Sequence, residues 1–398
     1  MLVLQATSLG GMETHCADLA VELARRGIEV RLVLPEAATY DALSARVAAA
    51  GVEPVRFRTD GMRGRMAQLK GLTALATMLA RWRPDVVHVH TGGATGGLAT
   101  VALGRLFTRR ATVVTEHDVP ASAPSASHRI KRAALDRAAD AIVAVSRRNG
   151  RLRRDRIPPP DRKLAAVLNG VPTSDLPGAE LRRDNRRRLR AELGVTPDAV
   201  VLGSVVRLAE GKGLTDLIRA FAGVRAEVGV ELVLVGDGPL RSELESLAAE
   251  LGVASSVRFA GHKANATPYL DTMDAFVLAV PAGSMSMALL EAMARGLASV
   301  ITYCGPEEPI IDGVTGLCAP PANPDGLAKV LTRLMADRDL RERLGTAATE
   351  HIARNFSVER VADDLLAIYS SCRGRALPEN LLVSVSAATE RRPSVART

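Results

Sequence analysis

Short runs of aliphatic and β-branched residues recur along this chain, each too brief to be a buried helix and each followed by a longer stretch with helical spacing. In the first half they are LVLQA (2–6), EVRLVL (29–34), VVHVH (86–90), ATVVTEH (111–117), AIVAVS (141–146) and LAAVLNG (164–170), with helical patterns over 12–26, 62–82 and 128–139 between them. Such runs show little alternation of apolar and polar residues, so both strand faces are covered. Covered strands separated by helices build a parallel sheet with right-handed crossovers. A charged helix over 181–193 and a turn over 194–198 then open a second series: AVVLGSVV (199–206), ELVLVG (231–236), VRFAG (257–261), AFVLAV (275–280) and ASVIT (298–302). Two consecutive series of similar size predict an α/β protein of two doubly wound domains facing one another across a cleft. The turn-rich segment NGVPTSDLPG (169–178) is the expected linker. Helices are expected over 324–354 and 357–372, and a flexible tail over 373–398.

Composition narrows the function classes. No run of about 18 or more uncharged apolar residues exists, so no membrane-spanning helix is expected. The N-terminus enters a strand directly, without the basic region and cleavage site of a secretory signal. Four cysteines lie far apart with no C-x-x-C spacing, so neither zinc nor a disulfide framework is expected, and a reducing, cytoplasmic setting is the simplest inference. Much of the net charge of +8 falls in RRNGRLRRDRIPPPDRK (147–163) and RRDNRRRLR (182–190). Anionic lipid head groups, a phosphorylated substrate or nucleic acid would suit such runs, as would a plain solvated basic face. No aromatic residue interrupts either run, which argues against a nucleic-acid stacking platform.

Several residues are placed to carry chemistry. In PAGSMSMALLEAMARG (281–296) the helical part is apolar except for Glu291, a carboxylate that needs a partner if buried. It is either the ligand of something polar or half of an i,i+4 pair with Arg295. Gly10 and Gly11 join the first strand to the first helix, where a phosphate can approach the backbone and meet free N–H donors; a bare turn is the alternative. Arg207 and Lys212 sit in VRLAEGKG (206–213) at the carboxyl edge of the second sheet, where two cations can clamp a diphosphate or simply be solvated. The turn formed by Gly236, Asp237, Gly238 and Pro239 lies on the same edge. His117 ends a strand of the first sheet and points to the same cleft, or is a hydrogen-bonded surface group. His88 and His90, flanked by valines, are expected to pack or cap, and no metal site is assigned.

In order and spacing, SLGGMETH, VVHVH, TEHD, VSRRNGRL, NGV (169–171), VVRLAEGKG, LVLVGDGP, VRFAGHK, SMALLEAMARG and DGVTGLCAPPANP resemble the retaining glycosyltransferases of family 4. The resemblance covers residues 1–372 and implies the GT-B fold, two Rossmann-like domains facing across a cleft. An acceptor-binding domain over 1–172, a nucleotide-sugar-binding domain over 173–356, and a helix over 357–372 crossing back to the first domain are implied. So are roles: Arg207 and Lys212 hold the donor diphosphate, Gly10 and Gly11 approach it from the other domain, Glu291 binds the ribose hydroxyls, and His117 touches the donor sugar. Arg207, Lys212 and His117 are the implied catalytic residues. Gly283, Ser284, Met285 and Ser286 form the implied donor-sugar loop. No metal or cofactor is implied; the donor is a UDP- or GDP-linked sugar, and the acceptor a glycan, glycolipid or lipid-linked molecule at the inner face of the plasma membrane. The family pattern carries a second glutamate where this chain has Gly283. That departure leaves open a catalytically weak or inactive partner protein of the same fold, and a sugar-nucleotide epimerase is a further alternative.

Overall fold

The computed structural model describes residues 1–5, 10–57, 65–92, 97–108, 111–118, 125–160, 163–196, 198–228, 230–281, 285–302, 309–372 and 377–383. Seven strands, β1 (Leu2–Gln5), β2 (Arg31–Pro35), β3 (Glu53–Phe57), β4 (Val86–Thr91), β5 (Ala111–Glu116), β6 (Ala141–Ala144) and β7 (Leu164–Ala166), form one sheet in the order β3-β2-β1-β4-β5-β6-β7. Six more, β8 (Val200–Val205), β9 (Val230–Val235), β10 (Val257–Gly261), β11 (Ala275–Leu278), β12 (Ala298–Ile301) and β13 (Leu317–Cys318), form a second in the order β10-β9-β8-β11-β12-β13. All pairings are parallel. In each sheet the first strand lies inside and the order reverses beside it, which opens a crevice at the carboxyl edge.

Both faces of each sheet are covered, as the uninterrupted apolar runs require. Val113 and Val114 are neighbours on β5, yet they enter opposite cores. One core is closed by α1 (Gly11–Arg25), α2 (Asp41–Ala49) and α13 (Val358–Ser371); the other by α3 (Arg65–Trp82), α4 (Leu98–Phe107) and α5 (Ala126–Ala138). Helix α6 (Arg147–Arg156) joins β6 to β7, and α7 (Ala179–Leu193) leads into the second sheet. There α8 (Leu214–Val228), α9 (Arg241–Glu250) and α11 (Pro324–Ala336) pack on one face, and α7 with α10 (Met287–Ala294) on the other. Helix α12 (Arg338–Asn355) contributes to both of these cores, through Leu340 and Leu344 to one and Ala348 and Ile352 to the other.

The structure corrects several expectations. β3 and β13 have no counterpart among the expected strands: β3 is a half-exposed edge strand carrying Pro54 and Arg56, and β13 has two residues. The single helix expected over 324–354 is two, because Asp337 leaves helical geometry and caps α12, its side chain accepting from the Leu340 N–H at 2.8 Å. The tail is not wholly loose. Leu377, Leu381 and Val383 are buried, and the Val383 N–H donates to the Leu164 carbonyl at 3.2 Å, bringing the chain back to the edge at β7. Residues 373–376 and 384–398 lie outside the described residues. Cys16 and Cys372 are free and buried, whereas Cys318 is disulfide-bonded, against the expectation from cysteine spacing.

Both basic runs are drawn partly into the packing, with Arg153 and Arg190 buried and Arg187 and Arg188 left exposed. Arg182, Arg186 and Arg190 recur every four residues on one face of α7. They bridge to Asp271 at 3.4 Å, Asp274 at 2.7 Å and Asp274 at 2.9 Å respectively, so this stripe is the seam that docks α7 on the second domain. Arg153 of α6 is buried with Arg132, Glu116 and Asp136. It reaches Glu116 at 3.1 Å and Asp136 at 2.6 Å, while Arg132 bridges the same two acids. Two cations and two anions compensate one another there, as burial demands.

Candidate active site

Helix N-termini from both domains meet in the cleft. Gly10 caps α1 in an extended conformation and Gly11 is its first residue; a Cβ on Gly11 would lie 3.1 Å from Met287 Cγ, in the first turn of α10. A larger residue at Gly11 would require the Met287 side chain to give way by a few tenths of an ångström. α10 is capped by Ser286, whose hydroxyl accepts from the Leu289 N–H at 3.4 Å, and Met285 is buried with its carbonyl accepting from Asn169 Nδ2 at 3.2 Å. Two helix dipoles with their positive ends together favour an anion between them. Gly283 and Ser284 lie outside the described residues.

The second domain adds cations. Between β8 and α8 the chain turns through Gly211 and Gly213, both at positive φ, and a Cβ on Gly213 would run into the Ala279 carbonyl beyond β11. That close approach sets Lys212 beside the connection leading to α10. Gly236 and Gly238 similarly seat the β9–α9 turn against the Val206 and Leu208 carbonyls, and the Leu208 N–H donates to the Asp237 carbonyl at 3.0 Å. Among the described residues no hydrogen bond or ion pair closes on Arg207, which is exposed, or on Lys212. Lys212 acts across the cleft on Asp118, whose carboxyl is pushed up by burial and pulled partly back by the lysine.

Glu291 lies one turn beyond Met287 on the same side of α10. It makes no ion pair with Arg295: that guanidinium bonds Asp271 at 3.1 Å, and among the described residues nothing hydrogen-bonds the Glu291 carboxylate. Burial, followed by the charge of Asp18 on α1, pushes Glu291 up to about 7, against the opposing pull of Arg295 and Arg46. A carboxylate that is desolvated and left without donors is a group awaiting hydroxyls. Its folded-state pKa lies above that of the unfolded chain, so its contribution to stability is present at acid pH and lost as pH rises through about 7. Glu291→Gln is therefore expected to melt like the parent at pH 5 and to melt higher at pH 8. Equal melting temperatures at pH 8 would show that the carboxylate is adequately solvated.

The first domain contributes a tier of imidazoles. His117 follows β5 directly and is buried; its Nε2 lies 3.2 Å from His90 Nδ1. His90 stacks on His88 with ring centroids 4.3 Å apart, His88 Nδ1 pairs with the Tyr369 hydroxyl of α13 at 2.6 Å, and His88 Nε2 with Thr115 Oγ1 at 2.7 Å. His15 of α1 stands 5.6 Å from His117. Burial depresses all four, His15 to about 4 and His90 to about 3, with the neighbouring imidazoles adding to the effect at His88, His90 and His117. The tier is neutral near pH 7, so His117 can donate or accept one hydrogen bond at the cleft but brings no charge there. His88 and His90 pack, as the sequence indicates, and among the described residues no group of three or more ligand side chains could hold a metal ion.

Sequence reasoning passed over Glu13, His15 and Asp118. Glu13 is buried in the first turn of α1, its carboxyl pushed up to about 7 by burial although the Glu13 and Gly10 backbones hydrogen-bond it. All three lie inside the quoted segments GGMETH and TEHD, but their side chains meet the cleft only once the two domains are assembled.

Residues 9–175 match Glycosyltransferase Family 4, and residues 197–337 match Glycosyl transferases group 1. The D-inositol 3-phosphate glycosyltransferase of Actinosynnema mirum is 31% identical over 92% of this chain and 93% of that protein. The lipopolysaccharide core biosynthesis glycosyltransferase LpsE of Rhizobium meliloti is 36% identical over 46% of this chain. There the match spans about half of the relative, 53% of its length. Among solved structures, Anabaena HepE in complex with UDP and glucose superposes with a TM-score of 0.76 at 21% identity, covering 93% of this chain and 99% of that one, a likeness of fold. The two parallel-sheet domains are thus those of the GT-B architecture, and the chain belongs to glycosyltransferase family 4, the glycosyl transferases group 1.

Proposed function

We propose that this protein transfers a sugar from a nucleotide-sugar donor to a glycan, glycolipid or lipid-linked acceptor in cell-envelope or polysaccharide synthesis, with retention of anomeric configuration. The observation that carries this reading is a set of groups around one crevice that, among the described residues, close no ion pair or side-chain hydrogen bond: Arg207, Lys212 and Glu291. A sugar nucleotide completes all of them. Its diphosphate lies against Arg207, Lys212 and the amides at Gly10 and Gly11, its ribose hydroxyls donate to Glu291, and its sugar reaches His117 and the loop at Gly283, Ser284, Met285 and Ser286.

In the transfer, the bond from the anomeric carbon to the diphosphate oxygen breaks and its electron pair stays on that oxygen. The cations and helix N-termini stabilise the charge formed there, without need of a metal or cofactor. The acceptor hydroxyl attacks on the same face, and its proton passes to the departing phosphate oxygen. UDP or GDP is the expected carrier, and the cytoplasmic side of the plasma membrane the expected site of action. The relatives support this reading, being named for glycosyl transfer onto inositol phosphate and in lipopolysaccharide core synthesis.

A second reading rests on Gly283, which leaves the donor-sugar loop without a carboxylate: a protein that binds the nucleotide or glycan but turns it over slowly. Purified protein offered UDP-, GDP- and ADP-sugars, with and without lipid-linked acceptors, separates the two. Nucleotide release that depends on acceptor supports transfer, whereas tight binding with no release under any condition supports the binding protein. Gly283→Glu is expected to raise turnover about 10-fold or more, by restoring a charge that stabilises the developing cation at the anomeric carbon. Unchanged turnover would mean that another group holds that place.

A further inference from the structure

Part of the charge of the two basic runs is drawn into the packing of α6 and α7, through Arg153 and Arg190, and a different face of the first domain also carries cations. Helices α3, α4 and α5 cover one side of the first sheet, with α4 in contact with both neighbours. Their sequences, RMAQLKGLTALATMLARW, LATVALGRLF and ASHRIKRAALDRA, contain one acid between them, Asp136, and that acid is buried in the cluster with Arg132 and Arg153. The outer surface of the layer therefore displays Arg81, Arg129, Lys131 and Arg137 with no carboxylate from the same helices, while Arg105 is paired with Asp140, just beyond α5, at 2.6 Å. Apolar side chains stand among these cations. Ile130 is 72% exposed, Leu106 76% and Leu72 39%, one from each helix, and residues 126–131 of α5 are exposed throughout.

A solvated basic face has no use for isoleucine and leucine at such exposure. Nucleic acid would call for aromatic stacking between the cations, and the exposed ring beside Ile130 is His128, whose Nδ1 is already paired with Ser125 Oγ at 2.7 Å. Exposed cations interspersed with exposed aliphatic side chains, on helices whose one acid is buried, match a bilayer surface of anionic lipid: the cations meet phosphate, and the aliphatic side chains enter the boundary of the acyl region. We infer that the α3–α4–α5 face, centred on Ile130, Arg129 and Lys131, is a peripheral membrane-docking surface selective for anionic lipid. The inference is independent of the donor chemistry, because none of these residues borders the crevice of Arg207, Lys212 and Glu291.

The test is cosedimentation of the full chain with vesicles of phosphatidylcholine, with and without phosphatidylglycerol, at low salt. Binding is expected with phosphatidylglycerol and not without it. R129Q/K131Q is expected to weaken it about 30-fold, at about 5-fold for each cation removed, and I130S/L106S about 10-fold or more. R187Q/R188Q on α7 is expected to bind like the parent, and nucleotide binding to be unchanged in every variant, which verifies folding and keeps this result separate from the proposed transfer. Equal binding to both kinds of vesicle overturns the inference. So does parent-like binding by R129Q/K131Q, or an oligonucleotide that binds through Arg129 and Lys131 and strips the protein from vesicles.

Discussion

Replacing Lys212 with alanine is expected to weaken nucleotide-sugar binding by about 10- to 100-fold and to lower the turnover number by about 100- to 1,000-fold. A charge-assisted hydrogen bond is stronger than a neutral one, and a donor aimed at a leaving group matters more as charge develops there. The loop geometry makes this substitution clean. Lys212 makes no hydrogen bond or ion pair among the described residues, and its backbone is fixed by Gly211 and Gly213 rather than by its own side chain. The fold should therefore be indifferent to the change. Removing the lysine also relieves Asp118 of its electrostatic partner across the cleft, leaving that carboxyl pushed up by burial alone. Titration calorimetry with the donor's nucleoside diphosphate gives the affinity, and release of that diphosphate gives the rate. Unaltered affinity in Lys212→Ala would remove the diphosphate from this loop and with it the proposed donor site.

The largest loss of stability is expected at Arg153. Arg153→Met leaves Glu116 and Asp136 facing Arg132 alone, and stranding a buried charge costs about 3–5 kcal/mol. Glu116 immediately precedes His117, so the disturbance reaches the end of β5 where the imidazole tier begins. A fall in melting temperature together with weaker donor binding is the expected pair of results, read by circular dichroism and calorimetry on the same preparation. A destabilisation under about 1 kcal/mol would mean that water or a shifted proton compensates the cluster.

The same residues show what the sequence reveals and what it conceals. Both sheets are legible because a doubly covered strand must be apolar on both faces, as at Val113 and Val114. Loops around glycines are legible because Gly213 and Gly236 occupy backbone conformations or close approaches that other residues resist. Charge is legible only as an amount. Arg182, Arg186 and Arg190 look like surface in composition, yet their four-residue spacing, matched to Asp271 and Asp274 more than eighty positions later, makes them the seam between α7 and the second domain. The α3–α4–α5 layer is the reverse case, because these helices are unremarkable singly and distinctive only side by side. His15 and Tyr369 come from opposite ends of the chain, and no local pattern could have placed them around His90 and His117. Glu291 is intermediate: its apolar neighbourhood is visible in sequence, whereas the diversion of Arg295 to Asp271 is not.

The polypeptide passes between the domains twice, and the two passages are joined to each other. The Val171 N–H donates to the Phe356 carbonyl at 2.9 Å and the Val358 N–H to the Val171 carbonyl at 3.0 Å, while a Cβ on Gly170 would collide with the backbone of Ser357. Two strands of chain pinned at one point form a pivot with little freedom to slide. Rotation about that pivot opens or shuts the gap between Gly11 and Met287, and translation would break both backbone bonds. The ends of α1 and α10, where Gly11 meets Met287, are the parts of the cleft that such a rotation would separate.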